Sequence, residues 1–186
     1  MQNLAVSEWF TCEVLPGLPG TGPAPHQFRR EGQRTHSEGL VVRVKPVDGE
    51  PWIGNFQYGD GDVYVSGVFV YSSDQFICVV ARGQGYLVCG RRPSEYEIVR
   101  SYPIRDVRTI PEKSLIVFAD YTELSAYGSK GFAWMTKTLS WDGLKITEVT
   151  AERITGVAWD APANKEVGFS VDVTTGRSQG GSSPKT

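Results

Sequence analysis

Histidine is nearly missing from this sequence. Its two residues, His26 and His36, stand ten positions apart in one polar segment, so the apolar body of the chain holds no imidazole to act as a general base. Nucleophilic catalysis by a Ser or Cys beside a His therefore loses its most common arrangement. Cysteine is scarce too. Cys12, Cys78 and Cys89 are odd in number and lie far apart, which excludes a CxxC redox motif or zinc-finger spacing and reads as reduced thiols, with Cys78 filling core. Charge of one sign is also lacking. With 19 basic and 21 acidic residues, a net charge of −2, no broad field draws the chain to nucleic acid or an anionic membrane. No stretch approaches the roughly 18 apolar residues of a membrane span, and MQNLAVSEWF lacks the basic region and apolar run of a signal peptide. These absences place the chain in the cytoplasm, with another protein as the expected partner, no nucleic acid and no membrane.

Loops for phosphates and metals are incomplete. Gly83-Gln84-Gly85 joins two apolar runs rather than a strand and a helix and lacks the third glycine of a dinucleotide loop, so it reads as a hairpin turn. Gly59-Asp60-Gly61-Asp62 offers two acids where a calcium loop needs about six or seven oxygen ligands. The expectation is no cofactor, no metal ligands and no catalytic set. The local basic cluster Arg29, Arg30 and Arg34 reads as a solvated loop balanced by Glu31 and Glu38.

What is present is turn chemistry. Twenty-one Gly and 11 Pro punctuate short apolar runs rich in Val, Ile, Phe, Tyr and Trp, densest between Leu115 and Asp160. Leu40 to Val44 and Trp52 to Tyr58 make a hairpin across the Asp48-Gly49 turn. The expected fold is all-β, an antiparallel meander of about twelve short strands over residues 40 to 173, with helix confined to a turn or two. The chain also repeats. Val70, Ile110 and Val149 each precede a polar turn and an apolar strand that ends at or near Ala81, Ala119 and Ala158, giving a period near 39 residues. Such a period built from short strands implies blade-like units, a small or partial β-propeller, with a β-sandwich as the alternative. In that reading Val79, Val117 and Gly156 or Val157 hold equivalent inner positions.

The organisation follows from composition. Residues 1–39 are an N-terminal segment and a Pro/Gly-rich loop, PGLPGTGPAP at its centre; residues 40–176 are the all-β domain; residues 177–186, SQGGSSPKT after Arg177, carry nothing apolar and are expected to be disordered.

Function is less sharply marked. The preferred expectation is a non-catalytic binding module, its recognition residues on the loop-rich rims of the strands. The alternative is a carbohydrate-binding protein or hydrolase using turn carboxylates and Trp faces. The rim candidates are Asp120, Tyr127, Trp134, Trp141, Asp142, Trp159 and Asp160. Against them stands a structural reading: Asp before a turn caps its own backbone, and aromatic rings more often fill the space between sheets. Convergence of two carboxylates and an exposed Trp in one cleft is the feature that separates the two.

Ser37-Glu38-Gly39-Leu40-Val41-Val42-Arg43, Trp52, Asn55-Phe56, Gly85-Tyr86-Leu87-Val88, Ser140-Trp141-Asp142-Gly143-Leu144-Lys145 and Phe169-x-Val171-Asp172 together resemble a family of uncharacterised bacterial proteins of similar length. The resemblance implies no catalytic residue. By analogy it implies an accessory or immunity-like role exerted through protein binding.

Overall fold

The computed structural model describes residues 4–30, 38–60, 65–70 and 75–183. Glu31, Arg34, His36, Ser37, Gly61 and Asp62, singled out above, lie outside those residues. The chain divides into two compact units, Met1–Tyr102 and Pro103–Thr186, rather than the single domain its length suggests.

The first unit holds two sheets. One contains β1 (Leu4–Val6), β2 (Phe10–Leu15), β3 (His26–Phe28), β4 (Gly39–Pro46) and β5 (Trp52–Gln57), in the order β1-β2-β4-β5-β3. The other runs in chain order through β6 (Gly67–Phe69), β7 (Phe76–Ala81), β8 (Gln84–Cys89) and β9 (Tyr96–Ile98). Alternation at period 2 makes the core: Leu40, Val42 and Val44 from β4 and Ile77, Val79 and Ala81 from β7 are all buried in one cluster with Phe10, Phe28, Phe56 and Tyr86. The β7–β8 hairpin turns tightly because Arg82 and Gly83 both take positive φ, 45° and 79°, as a two-residue turn that matches strand twist requires.

The second unit holds β10 (Asp106–Ile110), β11 (Leu115–Ala119), β12 (Leu124–Gly128) and β13 (Gly131–Met135) in one four-stranded sheet, and β14 (Leu144–Val149), β15 (Arg153–Asp160), β16 (Lys165–Asp172) and β17 (Ser178–Gly180) in the other. A single 3₁₀ turn, Pro111–Lys113, is the only helical element among the described residues. Its core is mostly aliphatic, built on Val117, Leu124, Ile146, Ile154 and Val171, with Phe169 and Trp134 as the large rings.

The fold class is as the sequence implies, all-β and propeller-like: a five-stranded sheet followed by three consecutive antiparallel meanders of four strands, one per 39-residue repeat. Val79, Val117 and Gly156 sit on the second strands of their sheets, facing Tyr86, Ala126 and Phe169 on the third and Val68, Arg108 and Ile146 on the first. Ile110 and Val149 end their first strands, and Val70 follows β6 directly.

Two expectations need correction. The segment 1–39 is not separate from the sheet domain: β2 pairs with β4 over six residues, and β3 adds in parallel to the far edge of β5. A Pro/Gly-rich composition hid β3, whose strand character comes from its long-range partner and from the buried ring of Phe28 rather than from local propensity. The expected boundary at residue 39 disappears with it. The chain after Arg177 is also not all tail, because β17 pairs Ser178, Gln179 and Gly180 with Val171, Ser170 and Phe169. Backbone ladders need no apolar side chain, so composition could not show this. Residues 184–186 lie outside the described residues.

The cysteines are free and buried. Burial pushes the Cys12 thiol up to about 12 and raises Cys78 as well; Cys78 fills core as expected, and Cys12 does so too.

Candidate functional site

The turn-rich end of the second unit carries an open cleft of about 420 Å³. Its floor is the outer face of the β14–β15–β16 sheet. Leu144 and Ile146 point to the core, so Lys145 between them points out, opposite Val157 of β15; two residues on, Trp159 shares that outer face and pairs with Glu166 of β16. Gly168, opposite Val157 on the same face, is exposed and presents no side chain, with open space above its Cα.

The wall of the cleft is the loop between β13 and β14, where the Ser140-Trp141-Asp142-Gly143 motif lies. Ser140 is fully buried; its hydroxyl donates to the Gly143 carbonyl at 2.6 Å and accepts from the Trp159 amide at 2.9 Å. The Trp141 amide donates to the Trp159 carbonyl at 3.1 Å, and the Gly143 amide to the Tyr121 carbonyl at 3.0 Å. Gly143 takes φ +112°, a conformation that side chains resist. The motif thus fixes a loop across the ends of two sheets, and it holds Asp142 exposed at the cleft edge. Opposite, Arg105 enters at the start of β10 with its guanidinium 4.3 Å from the centre of the Tyr121 ring.

Charge in the cleft is mixed and largely uncompensated. Asp106 is held by Arg108 at 3.0 Å. Among the described residues Arg105, Lys145, Asp142 and Glu166 take part in no ion pair. Two cations and two anions therefore flank one half-buried indole, each free to meet a ligand of opposite sign.

The structure sorts the seven sequence candidates clearly. Asp142 and Trp159 line this cleft. Asp120 does not: its carboxylate accepts from the Thr122 and Glu123 amides, both at 2.8 Å, which is turn capping. Asp160 caps in the same way, accepting from the Ala163 amide at 3.4 Å. Tyr127 is a buried ring, edge-on to Phe118 and Phe132. Trp134 is buried, with its indole N–H donating to the Val173 carbonyl at 2.7 Å. Trp141 is 37% exposed but lies outside the cleft, donating to the Ser182 hydroxyl at 3.1 Å. Sequence reasoning missed Arg105, Lys145 and Glu166, because an isolated charge on a strand reads as a solvated face. The available signal was parity: Lys145 and Glu166 alternate with core residues and so share the face of Trp159.

Two further hollows are present. One of about 410 Å³ lies at the opposite strand ends of the same unit, beside Glu112 and Thr150. One of about 610 Å³ in the first unit is bounded by Leu18, Asn55, Tyr58 and Arg82, with the Arg82 guanidinium 4.3 Å from the Tyr58 ring centre. Among the described residues no group of His, Cys, Asp and Glu has the arrangement of a metal site. No described helix is long and apolar enough to cross a membrane.

Fold and site together define a class: an all-β protein of blade-like repeats with an open, mixed-charge cleft on one sheet. No family model and no curated protein matches the sequence. Among solved structures, the chain is similar to a eukaryotic initiation factor (8% identity, TM-score 0.42, covering 95% of this chain and 52% of that one). It is similar also to the N-terminal domain of Nup159 (14% identity, TM-score 0.40, covering 98% and 53%) and to the WD40 domain of SCAP from fission yeast (12% identity, TM-score 0.38, covering 92% and 53%). The chain spans about half the length of each of these structures.

Proposed function

We propose that this protein is a non-catalytic binding module that holds a segment of another protein in the Trp159 cleft. The observation that carries the reading is the floor of the cleft. A sheet face with an indole and unpaired charges of both signs, open beyond it over Gly168, fits an extended polypeptide, which presents apolar and charged side chains in turn. The rigid sheet and the hydrogen-bonded motif loop hold these groups in place before any partner arrives, so little ordering entropy opposes binding. Within this reading, an accessory or immunity-like role through protein binding agrees with the bacterial family the sequence resembles.

Pull-down from the native cytosol with wild type and Trp159→Ala side by side tests it. A protein retained by wild type and lost by the variant, with unchanged circular dichroism, supports the reading. Equal retention overturns it.

A second reading has one observation in its favour. Trp159 lies between Asp142 and Glu166, and an aromatic face flanked by carboxylate acceptors also suits a sugar ring. Glycan-array binding that is lost in Trp159→Ala would favour it over the first.

A further inference from the structure

We infer that the cleft selects a segment carrying both charges: a basic side chain laid on the Trp159 indole between Asp142 and Glu166, and an acidic side chain directed to Lys145 and Arg105. This rests on the binding-module reading and specifies its ligand. The sheet register sets the pattern. Trp159 and Glu166 are direct cross-strand partners, so the carboxylate stands beside the ring, and the Trp141 amide bond to the Trp159 carbonyl brings Asp142 to the same end. A cation over the indole would meet the ring face and two carboxylates together, the combination that favours Lys or Arg over a neutral side chain. Lys145 lies one strand over, beside Val157 rather than beside Trp159, and Arg105 enters from the other wall. The positive groups are thus offset from the negative ones. A ligand with only one sign of charge would leave half of the cleft unmatched, and like charges would face each other there.

The probe is a positional-scanning library of acetylated, amidated decapeptides, each pool fixed at one position. Its binding is measured on the full chain as wild type, as Asp142→Asn/Glu166→Gln and as Lys145→Glu. Wild type should favour pools fixed as Arg or Lys over pools fixed as norleucine by about tenfold, the size expected of one cation–π contact and two surface ion pairs. Asp142→Asn/Glu166→Gln should abolish that preference while Lys145→Glu keeps it; Lys145→Glu should instead weaken pools fixed as Asp or Glu. Pools that bind without preference for basic residues, or a preference unchanged in the double variant, would overturn the inference and leave the binding module standing. If no pool binds above background, or if pools bind equally well to Trp159→Ala, the module reading and this inference fall together.

Discussion

Arg30 in the first unit and Arg105 in the second are held differently. In the first unit Arg30 is fully committed: its backbone amide donates to the Gln57 side chain at 3.2 Å, its Nε to Gln84 at 2.6 Å and its guanidinium to Asp60 at 2.7 Å, while its Cζ lies 3.9 Å from the centre of the Tyr102 ring. Tyr102 closes the cluster by donating to the same Asp60 oxygen at 3.2 Å. In the second unit Arg105 rests on Tyr121 and meets no carboxylate among the described residues. A satisfied cation clamps structure; an unsatisfied one is available to a ligand. Arg30, expected in a solvated loop balanced by Glu31 and Glu38, is instead a clasp on Asp60, whereas Arg105 in the other unit is left open.

The cores differ in the same direction. The first unit needs its fifth strand because β3 carries Phe28, which stacks on Phe56 with ring centres 4.3 Å apart and planes 4° apart. Truncating that ring is the largest break in the comparison. Phe28→Ala should cost about 3–5 kcal/mol, since it opens a cavity in an aromatic core and removes the buried ring with which β3 packs on β5. Thermal unfolding checks it. A loss below about 1 kcal/mol would mean that β3 is an ornament. In contrast, Trp159→Ala, at a half-buried ring on the outer face, should leave stability within about 1 kcal/mol and remove binding.

Ser140→Ala sharpens the comparison at the cleft. The hydroxyl is fully buried and bonds both the Gly143 carbonyl and the Trp159 amide, which also bond each other at 3.0 Å, so its removal takes one bond from each without leaving either unpartnered. The expected cost is about 1 kcal/mol, that of a net hydrogen bond. Because those bonds position Asp142 and the strand of Trp159, ligand affinity should fall with stability. Unchanged affinity in a correctly folded variant would show that the loop supports the sheets and not the site.

How much of this the sequence could show follows from the range of each signal. Period-2 alternation and turn residues are local, so β4, β5, β7, β8 and the strands of the three repeats were legible. Strand β3 was not, because its three residues are a strand only through β5. Strand β17 was hidden for a related reason: its ladder uses backbone groups that any composition supplies. The site divides along the same line. Trp159 and Asp142 stood out by residue type, whereas Lys145, Glu166 and Arg105 gain meaning only when register brings them to one face. Asp120 and Asp160 look like site acids in sequence, yet a carboxylate two or three residues before a free amide satisfies its own turn first.

Arg30→Met tests the clasp. Asp60 is largely exposed, with 78% of its side chain accessible, so the ion pair contributes little, and the contact with Tyr102 adds about as much again. The expected loss is about 1–2 kcal/mol, most of it from the buried Gln84 side-chain oxygen that loses its donor. A double-mutant cycle with Asp60→Asn separates the pair from the ring contact, and a coupling indistinguishable from zero would reduce the clasp to the Gln84 bond and packing.

The smallest effect concerns the turn that returns the chain into β17. Asp172 ends β16, and its carboxylate accepts from the Thr175 hydroxyl at 2.7 Å and the Thr175 amide at 2.8 Å. The hydroxyl bond first, then the amide bond, hold its carboxyl below the ordinary value of 3.8, with Arg153 as a lesser contributor. A carboxyl whose pKa is lowered on folding stabilises the fold above its unfolded value and loses that contribution as pH falls through the folded one. Wild type should therefore exceed Asp172→Asn in stability at neutral pH, and the gap should close as the pH drops below about 4. Because the group is fully exposed, the gap is small and calls for paired urea titrations at several pH values rather than one melting curve. A gap that stays constant from pH 7 to 3 would mean that Asp172 caps the turn through geometry that its protonated form keeps, and that β17 owes nothing to the charge.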